Sequence, residues 1–347
     1  MKQLLSYASL LLFAGAFLSG CQQDPNSTGS PRTQLPLSNP HGSTTAHPAL
    51  VYTGAVITTS HKTSTTYSAI YVADTDMGNR TSVQVATTST SSVLYGATPG
   101  WSPNGSSICF TQSGEGSPRH PDSIKAFDVS VNSSGVPVGS NVRTVFGLPS
   151  NSVRLKNPFW SSTTTMGKIA YSTQEAGTNS LYVVSQSGGT PTLIYRVDTS
   201  WVHYALPLGD PTWSPDDSKL ACLRIGSNGT VTTIMIFGTT DNGSTWTYND
   251  SISVSGGVDG LEWSRNGSVN ELTFGLVSGG TSEISFVTPT TGATPVTSFV
   301  AGVFPTWSPN NSSVMYVNAG YLYKNTPLTT STTTVTNFGG LGVKWKR

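Results

Sequence analysis

Two short stretches hold most of the residue types that could do chemistry. One is Ser152-Val153-Arg154-Leu155-Lys156-Asn157; the other is Thr199-Ser200-Trp201-Val202-His203-Tyr204, which leads on to Asp210. Large aromatics beside a histidine, two cations and a carboxylate can stack on a sugar ring or anchor a peptide. Equally, Trp201 and Tyr204 can pack their own loop onto the body of the protein while Arg154 and Lys156 stay in water. Asp210 and Asp259 form the carboxylate pair best suited to acid–base work, because glycoside hydrolysis needs two carboxyl groups about 5 to 10 Å apart. If both lay in one cavity at that spacing, with raised pKa values, an enzyme would be the better reading. If they pointed into solvent, the pair would be catalytically irrelevant. The candidate ligand-contacting residues are therefore Arg154, Lys156, Asn157, Trp201, His203, Tyr204, Asp210 and Asp259, and no catalytic residue is assigned.

Other chemistries lack their patterns. Asp74-Thr75-Asp76-Met77-Gly78-Asn79 opens with the rhythm of a calcium loop, but the position where a bidentate acid belongs is Val85. His41, His47, His61 and His120 have no zinc spacing, and no Gly-x-Ser-x-Gly elbow is present. Beyond Cys21, the only cysteines are Cys109 and Cys222. Their places in the repeat described below set them too far apart to bridge, and neither has a basic neighbour in sequence to make it a nucleophile. Two free, buried thiols are expected. No metal or other cofactor is expected.

The elements that must position these residues are set by tryptophan. Trp101, Trp160, Trp213, Trp263, Trp307 and Trp345 recur at intervals of 59, 53, 50, 44 and 38 residues. Most sit in one phrase, best seen in Pro99-Gly100-Trp101-Ser102-Pro103-Asn104-Gly105, Pro211-Thr212-Trp213-Ser214-Pro215-Asp216-Asp217 and Pro305-Thr306-Trp307-Ser308-Pro309-Asn310-Asn311. After a turn, alternating runs follow, such as Ile108-Cys109-Phe110, Ile169-Ala170-Tyr171 and Leu220-Ala221-Cys222. Second runs (Ile124 to Val129, Leu181 to Val184, Thr233 to Phe237) and weaker third runs complete each unit. Period-two alternation bounded by Pro, Gly, Asn and Ser predicts strands, and four per unit is the composition of a propeller blade. Leu50 to Thr53 is a second strand without a tryptophan before it, and Trp345 is a first strand without one behind it. Joined, they complete a sixth blade with Ala69 to Ala73 and a run near Val83 to Val93, and closing the ring removes both open edges. The prediction is an all-β, six-bladed propeller whose C-terminal strand pairs with Leu50–Thr53. In such a ring the segments leading into the first strands crowd one face around the channel, which is where the candidate residues would meet.

The phrase Pro-x-Trp-Ser-Pro-Asp/Asn-Gly/Asp/Asn resembles the propeller repeat of the TolB family over about residues 49 to 347. The Pro after Ser is missing at Trp160, and Arg265 replaces it at Trp263. WD-type repeats match less well, since Gly-His and Trp-Asp dipeptides are absent. The resemblance implies protein contacts in the bacterial envelope, although the α/β domain that precedes TolB's propeller has no counterpart here. Thr239-Thr240-Asp241-Asn242-Gly243-Ser244-Thr245-Trp246 resembles the Asp-box of sialidases, a hairpin stabiliser that lies away from their active site.

The chain begins Met1-Lys2, continues with an apolar stretch from Leu4 to Phe17, and reaches Leu18-Ser19-Gly20-Cys21. This resembles a bacterial lipoprotein signal, with residues 1–20 removed and Cys21 lipidated. Gln22 after the cysteine, by resemblance to enterobacterial sorting, points to the outer membrane. Residues 21–48 are rich in Pro, Ser, Thr, Asn and Gly, the composition of a flexible tether, and 49–347 form the propeller. Charged residues are 10% of the chain and net charge is +1, so the electrostatic footprint of nucleic-acid binding is missing. The expectation is a lipid-anchored envelope protein, monomeric, acting as a non-catalytic binding or scaffold module. Its partner would be an envelope protein or cell-wall glycan. The alternative is a polysaccharide-active lyase or glycosidase, because propellers host both and fold alone does not decide function.

Overall fold

Local hydrogen bonding explains why the phrase after each tryptophan repeats. The Ser102 hydroxyl donates to Asn104 Oδ1 at 2.7 Å, which also accepts the Ser106 N–H at 3.1 Å, while the Ser107 N–H donates back to Ser102 Oγ at 2.9 Å. Ser214, Asp216, Ser218 and Lys219 repeat the arrangement, as do Ser308, Asn310, Ser312 and Ser313. A short oxygen two residues after serine thus closes the turn that reverses the chain from one strand into the next.

The seventh residue of the phrase reaches the preceding repeat. Asp217, at φ 60°, accepts the backbone N–H groups of Ser162 at 2.5 Å and Thr163 at 2.7 Å. Asn311, at φ 58°, accepts the Arg265 N–H at 2.7 Å and donates to the Asn266 carbonyl. At the matching Gly105, φ is 65° and a Cβ would lie 2.2 Å from Lys346 Cε. Asp and Asn tolerate the left-handed conformation there, and glycine fits where the neighbour leaves no room.

The computed structural model describes residues 49–60, 63–74, 81–83, 99–112, 123–148, 154–175, 178–198, 208–225, 231–327, 332–337 and 340–346. Within them are 24 strands and no helix, grouped into six four-stranded antiparallel sheets. Five sheets, blades II to VI, follow one another in sequence, each led by an inner strand ending in tryptophan: Gly100–Trp101, Arg154–Trp160, Leu208–Trp213, Gly257–Trp263 and Val303–Trp307. Blade I is composite, in the order Gly340–Trp345, Leu50–Ser60, Thr63–Ala73, Thr81–Val83. Trp345 faces Leu50, Lys344 faces Val51 and Leu341 faces Thr53, and the Lys346 N–H donates to the Ala49 carbonyl at 2.5 Å. The expected ring closure is therefore present. The blade I run beyond Val83, to Val93, and Asp76 of the calcium-like stretch lie outside the described residues.

By contact density the chain divides into two compact units. Met1–Leu35 with Thr59–Ser64 is one and lies almost wholly outside the described residues; Pro36–Thr58 with Thr65–Arg347 is the other, and it carries the blades.

Each repeat tryptophan anchors one apolar cluster between consecutive blades. Trp213 packs on Phe159, Met166 and Leu181 of blade III and on Leu220, Met235 and Phe237 of blade IV. Trp101, Trp160, Trp263, Trp307 and Trp345 occupy the equivalent seams, and all six are at most 5% exposed. The Asp-box hairpin braces one seam. Asp241 accepts the Ser244 and Thr245 N–H groups, Trp246 meets Trp213 edge-on at 5.6 Å, and Lys168 of the neighbouring blade donates to the Gly243 carbonyl at 2.6 Å. Cys109 and Cys222 are buried in blades II and IV with neither in a disulfide, and burial pushes the Cys222 thiol up to about 12.

One expectation changes. Arg154, Lys156 and Asn157 do not lie on a connection ahead of blade III but within its inner strand, Arg154–Trp160. A strand pattern was hidden there because Asn157-Pro158 reads as a turn, whereas the structure accommodates it as a bulge.

Candidate functional site

Inner strands of blades III to VI and of blade I carry one extra residue at the same place. Pairing jumps from Lys156 to Phe159, from Gly209 to Thr212, from Asp259 to Glu262 and from Val303 to Thr306, with the matching shift opposite Val51 and Thr53 in blade I. The third residue before the tryptophan takes a positive φ in four of these: Asn157 at 49°, Asp210 at 44°, Gly260 at 65° and Phe304 at 52°. Such bulges bend a strand and re-aim its side chains. Here they turn this position and its neighbours toward the ring axis.

These equivalent residues touch from blade to blade. Asn157 Nδ2 donates to Asp210 Oδ1 at 2.6 Å, and the Gly260 N–H donates to Asp210 Oδ2 at 3.1 Å. A Cβ on Gly260 would sit 2.6 Å from Phe304 Cα, so only glycine lets blade VI approach this closely. Phe304 itself is a bulky residue in left-handed backbone, a strain of about 1–2 kcal/mol that its surroundings must hold in place.

Together they shape a funnel of about 270 Å³. All six blades line it, from Pro99 in the segment entering blade II to Lys344 in blade I, which places it on the axis. Phe159, Leu223, Ile225, Val258, Leu261 and Phe304 make its walls apolar. Asp210, Asp259 and Lys344 are its charged lining residues.

The funnel has a built floor. Three of the residues that directly precede a tryptophan tie adjacent blades: Thr212 Oγ1 accepts the Trp263 N–H at 2.9 Å, Glu262 Oε1 the Trp307 N–H at 3.3 Å, and Thr306 Oγ1 the Trp345 N–H at 3.4 Å. Glu262 is fully buried between Arg265 at 2.5 Å and Lys344 at 2.7 Å. The Lys344 ammonium also stands 5.2 Å from the centroid of the Phe159 ring. Side chains from blades I, III and V thereby meet across the axis and fill the channel beyond the funnel.

Burial pushes the Asp259 carboxyl up to about 6, and the charge of Asp210 adds to the shift. Burial also raises Asp210, opposed by Lys344, by the N–H groups of Gly260 and Leu261, and by Lys156. Both acids thus share one cavity with raised pKa values. Their hydrogen bonding separates them, because both Asp210 oxygens are already engaged while Asp259 has no hydrogen bond or counter-ion among the described residues.

Of the candidates named from sequence, Asn157, Asp210 and Asp259 line the funnel. Lys156 is half-buried on the same strand as Asn157, and Arg154 is that strand's first residue. Trp201, His203 and Tyr204 lie outside the described residues. Sequence reading missed Phe159, Phe304, Glu262, Arg265 and Lys344. A signal existed: aligning the phrases column by column shows a charge directly before a buried tryptophan at Glu262 and Lys344, and an arginine where three other repeats carry proline.

The arrangement resembles solved propellers. TolB from Acinetobacter baumannii superposes with a TM-score of 0.56 at 13% identity, over 86% of this chain and 66% of that one. The fold is that of a TolB-like propeller. This chain spans about two thirds of that protein's length. Weaker likenesses are a protein from Agrobacterium tumefaciens provisionally named TolB (17% identity, TM-score 0.49, covering 71% and 82% of the two chains) and the periplasmic gluconolactonase of Pseudomonas aeruginosa (10%, 0.46, 87% and 99%). No family model and no curated protein matches the chain.

Proposed function

We propose that this propeller is the binding domain of a lipid-anchored envelope protein and takes a segment of a partner protein into the funnel without chemical turnover. The observation that carries this reading is the lining: apolar walls with one carboxylate, Asp259, that has no hydrogen bond or counter-ion among the described residues. At about 270 Å³ the space is smaller than a typical small-molecule site and suits one or two side chains of a larger ligand. A glycan would need many hydrogen-bonding partners, which these walls do not offer, so a protein segment is favoured. The lipoprotein-like start at Cys21, the tether-like composition to residue 48 and the TolB-like fold support an envelope location.

Affinity capture from envelope extracts tests it, comparing wild type with Phe304→Gly. Glycine adopts the positive φ freely and removes an aromatic wall, so the variant should fold and lose a specific partner. Capture of the same partners by both proteins would overturn the proposal.

One observation favours a second reading, a polysaccharide-active enzyme: Asp210 and Asp259 share the funnel with raised pKa values, two of the three conditions for an acid–base pair, and it ranks second because Asp210 is already hydrogen-bonded through both oxygens. Release of new reducing or unsaturated ends from envelope polysaccharides, lost in Asp259→Asn, would put the enzyme first.

A further inference from the structure

The funnel's charge pattern narrows what can enter it; this step rests on the binding reading above. Two of its three charged lining residues are acids, and the third, Lys344, is committed to Glu262 Oε2 at 2.7 Å. Lys156 acts on Asp210 from the flank rather than from the lining. Asp210 already accepts a hydrogen bond on each oxygen, from Asn157 and from Gly260, which leaves it the less available acceptor of the two acids. Asp259, on the neighbouring inner strand, supplies a free acceptor beside apolar Val258, Leu261 and Phe304.

We infer that the funnel receives a cationic side chain, lysine or arginine, from an extended peptide segment of the partner, with its aliphatic stem on the apolar walls and its charge on Asp259. A half-buried carboxylate without a partner is costly, and a cation arriving on the ligand removes that cost. A bare divalent metal fits poorly, because it requires several oxygen ligands and no group of three or more His, Cys, Asp or Glu side chains placed to hold one is found among the described residues. An anionic group would meet two acids, and a purely apolar one would leave Asp259 unpaired.

The test uses the mature chain and the probe acetyl-Val-Lys-Val-amide, followed by NMR through the Gly260 amide, which bonds to Asp210. The same peptide with arginine, norleucine or glutamate replacing lysine supplies the comparisons. Lysine and arginine peptides should bind at least about tenfold more tightly than norleucine. Asp259→Asn should erase that preference, and Asp259→Glu should restore part of it, with melting curves confirming that both variants fold. Equal binding of norleucine and lysine peptides, with shifts confined to the funnel, would overturn the cation while leaving the binding reading intact. No shift from any peptide, together with partner capture indifferent to Phe304→Gly, would overturn both.

Discussion

Replacing Asp259 by asparagine removes one charge from the funnel wall and keeps its shape. The carboxyl sits at about 6 instead of an ordinary 3.8 because burial and Asp210 disfavour its charge. At about 1.4 kcal/mol per tenfold, this disfavours the ionised form in the folded protein by roughly 3 kcal/mol, less for the part of the group that water still reaches. The folded value lies above the unfolded one, so between pH of about 4 and about 6 the folded state binds more protons. Stability therefore falls as pH rises through that window and stays lower above it. Asparagine does not ionise, so the variant should be more stable than wild type by about 1–3 kcal/mol near pH 7.5, and the gap should close by about pH 4. The facing charges, Asp210, Lys156, Lys344 and the Glu262–Arg265 pair, remain in both proteins and largely cancel in the comparison. Urea midpoints at the two pH values, at unchanged m, measure this directly. A variant no more stable than wild type at neutral pH, or a gap independent of pH, would refute the account of Asp259 as an unpaired, half-buried carboxylate. A stabilising variant that also loses the preference for lysine peptides would show stability given up for binding.

Two further outcomes test the scaffold under the site. Glu262→Gln keeps the side chain's shape but leaves Arg265 and Lys344 without their buried acid; it should destabilise by about 3–5 kcal/mol, and a calorimetric change below about 1 kcal/mol would show that water screens the group. Trp213→Ala empties the seam between blades III and IV, where the ring is 1% exposed; an expected loss of about 3–5 kcal/mol, read from denaturant unfolding, would place that seam in the cooperative core, and little change would remove it.

The sequence alone determined the fold in considerable detail. Its repeated tryptophan phrase is a local device, built from residues within a few positions of one another, so the six blades are readable without any knowledge of distant contacts. Ring closure was readable as well, because Leu50–Thr53 lacks a first strand and Trp345 supplies one. So was the absence of a disulfide between the buried Cys109 and Cys222, which follows from their places in the repeat. Asp210 and Asp259 could be named as a carboxylate pair, but not as unequal partners. That difference arises only when Asn157 from one blade and the Gly260 N–H from another converge on Asp210, residues 53 and 50 positions away. The Glu262–Arg265–Lys344 floor, spanning 82 residues from Glu262 to Lys344, was likewise settled by tertiary structure. The reason is physical: turns and strand pairing are fixed by short-range hydrogen bonding, whereas the charge balance and walls of the funnel exist only where the inner strands of all six blades meet on one axis.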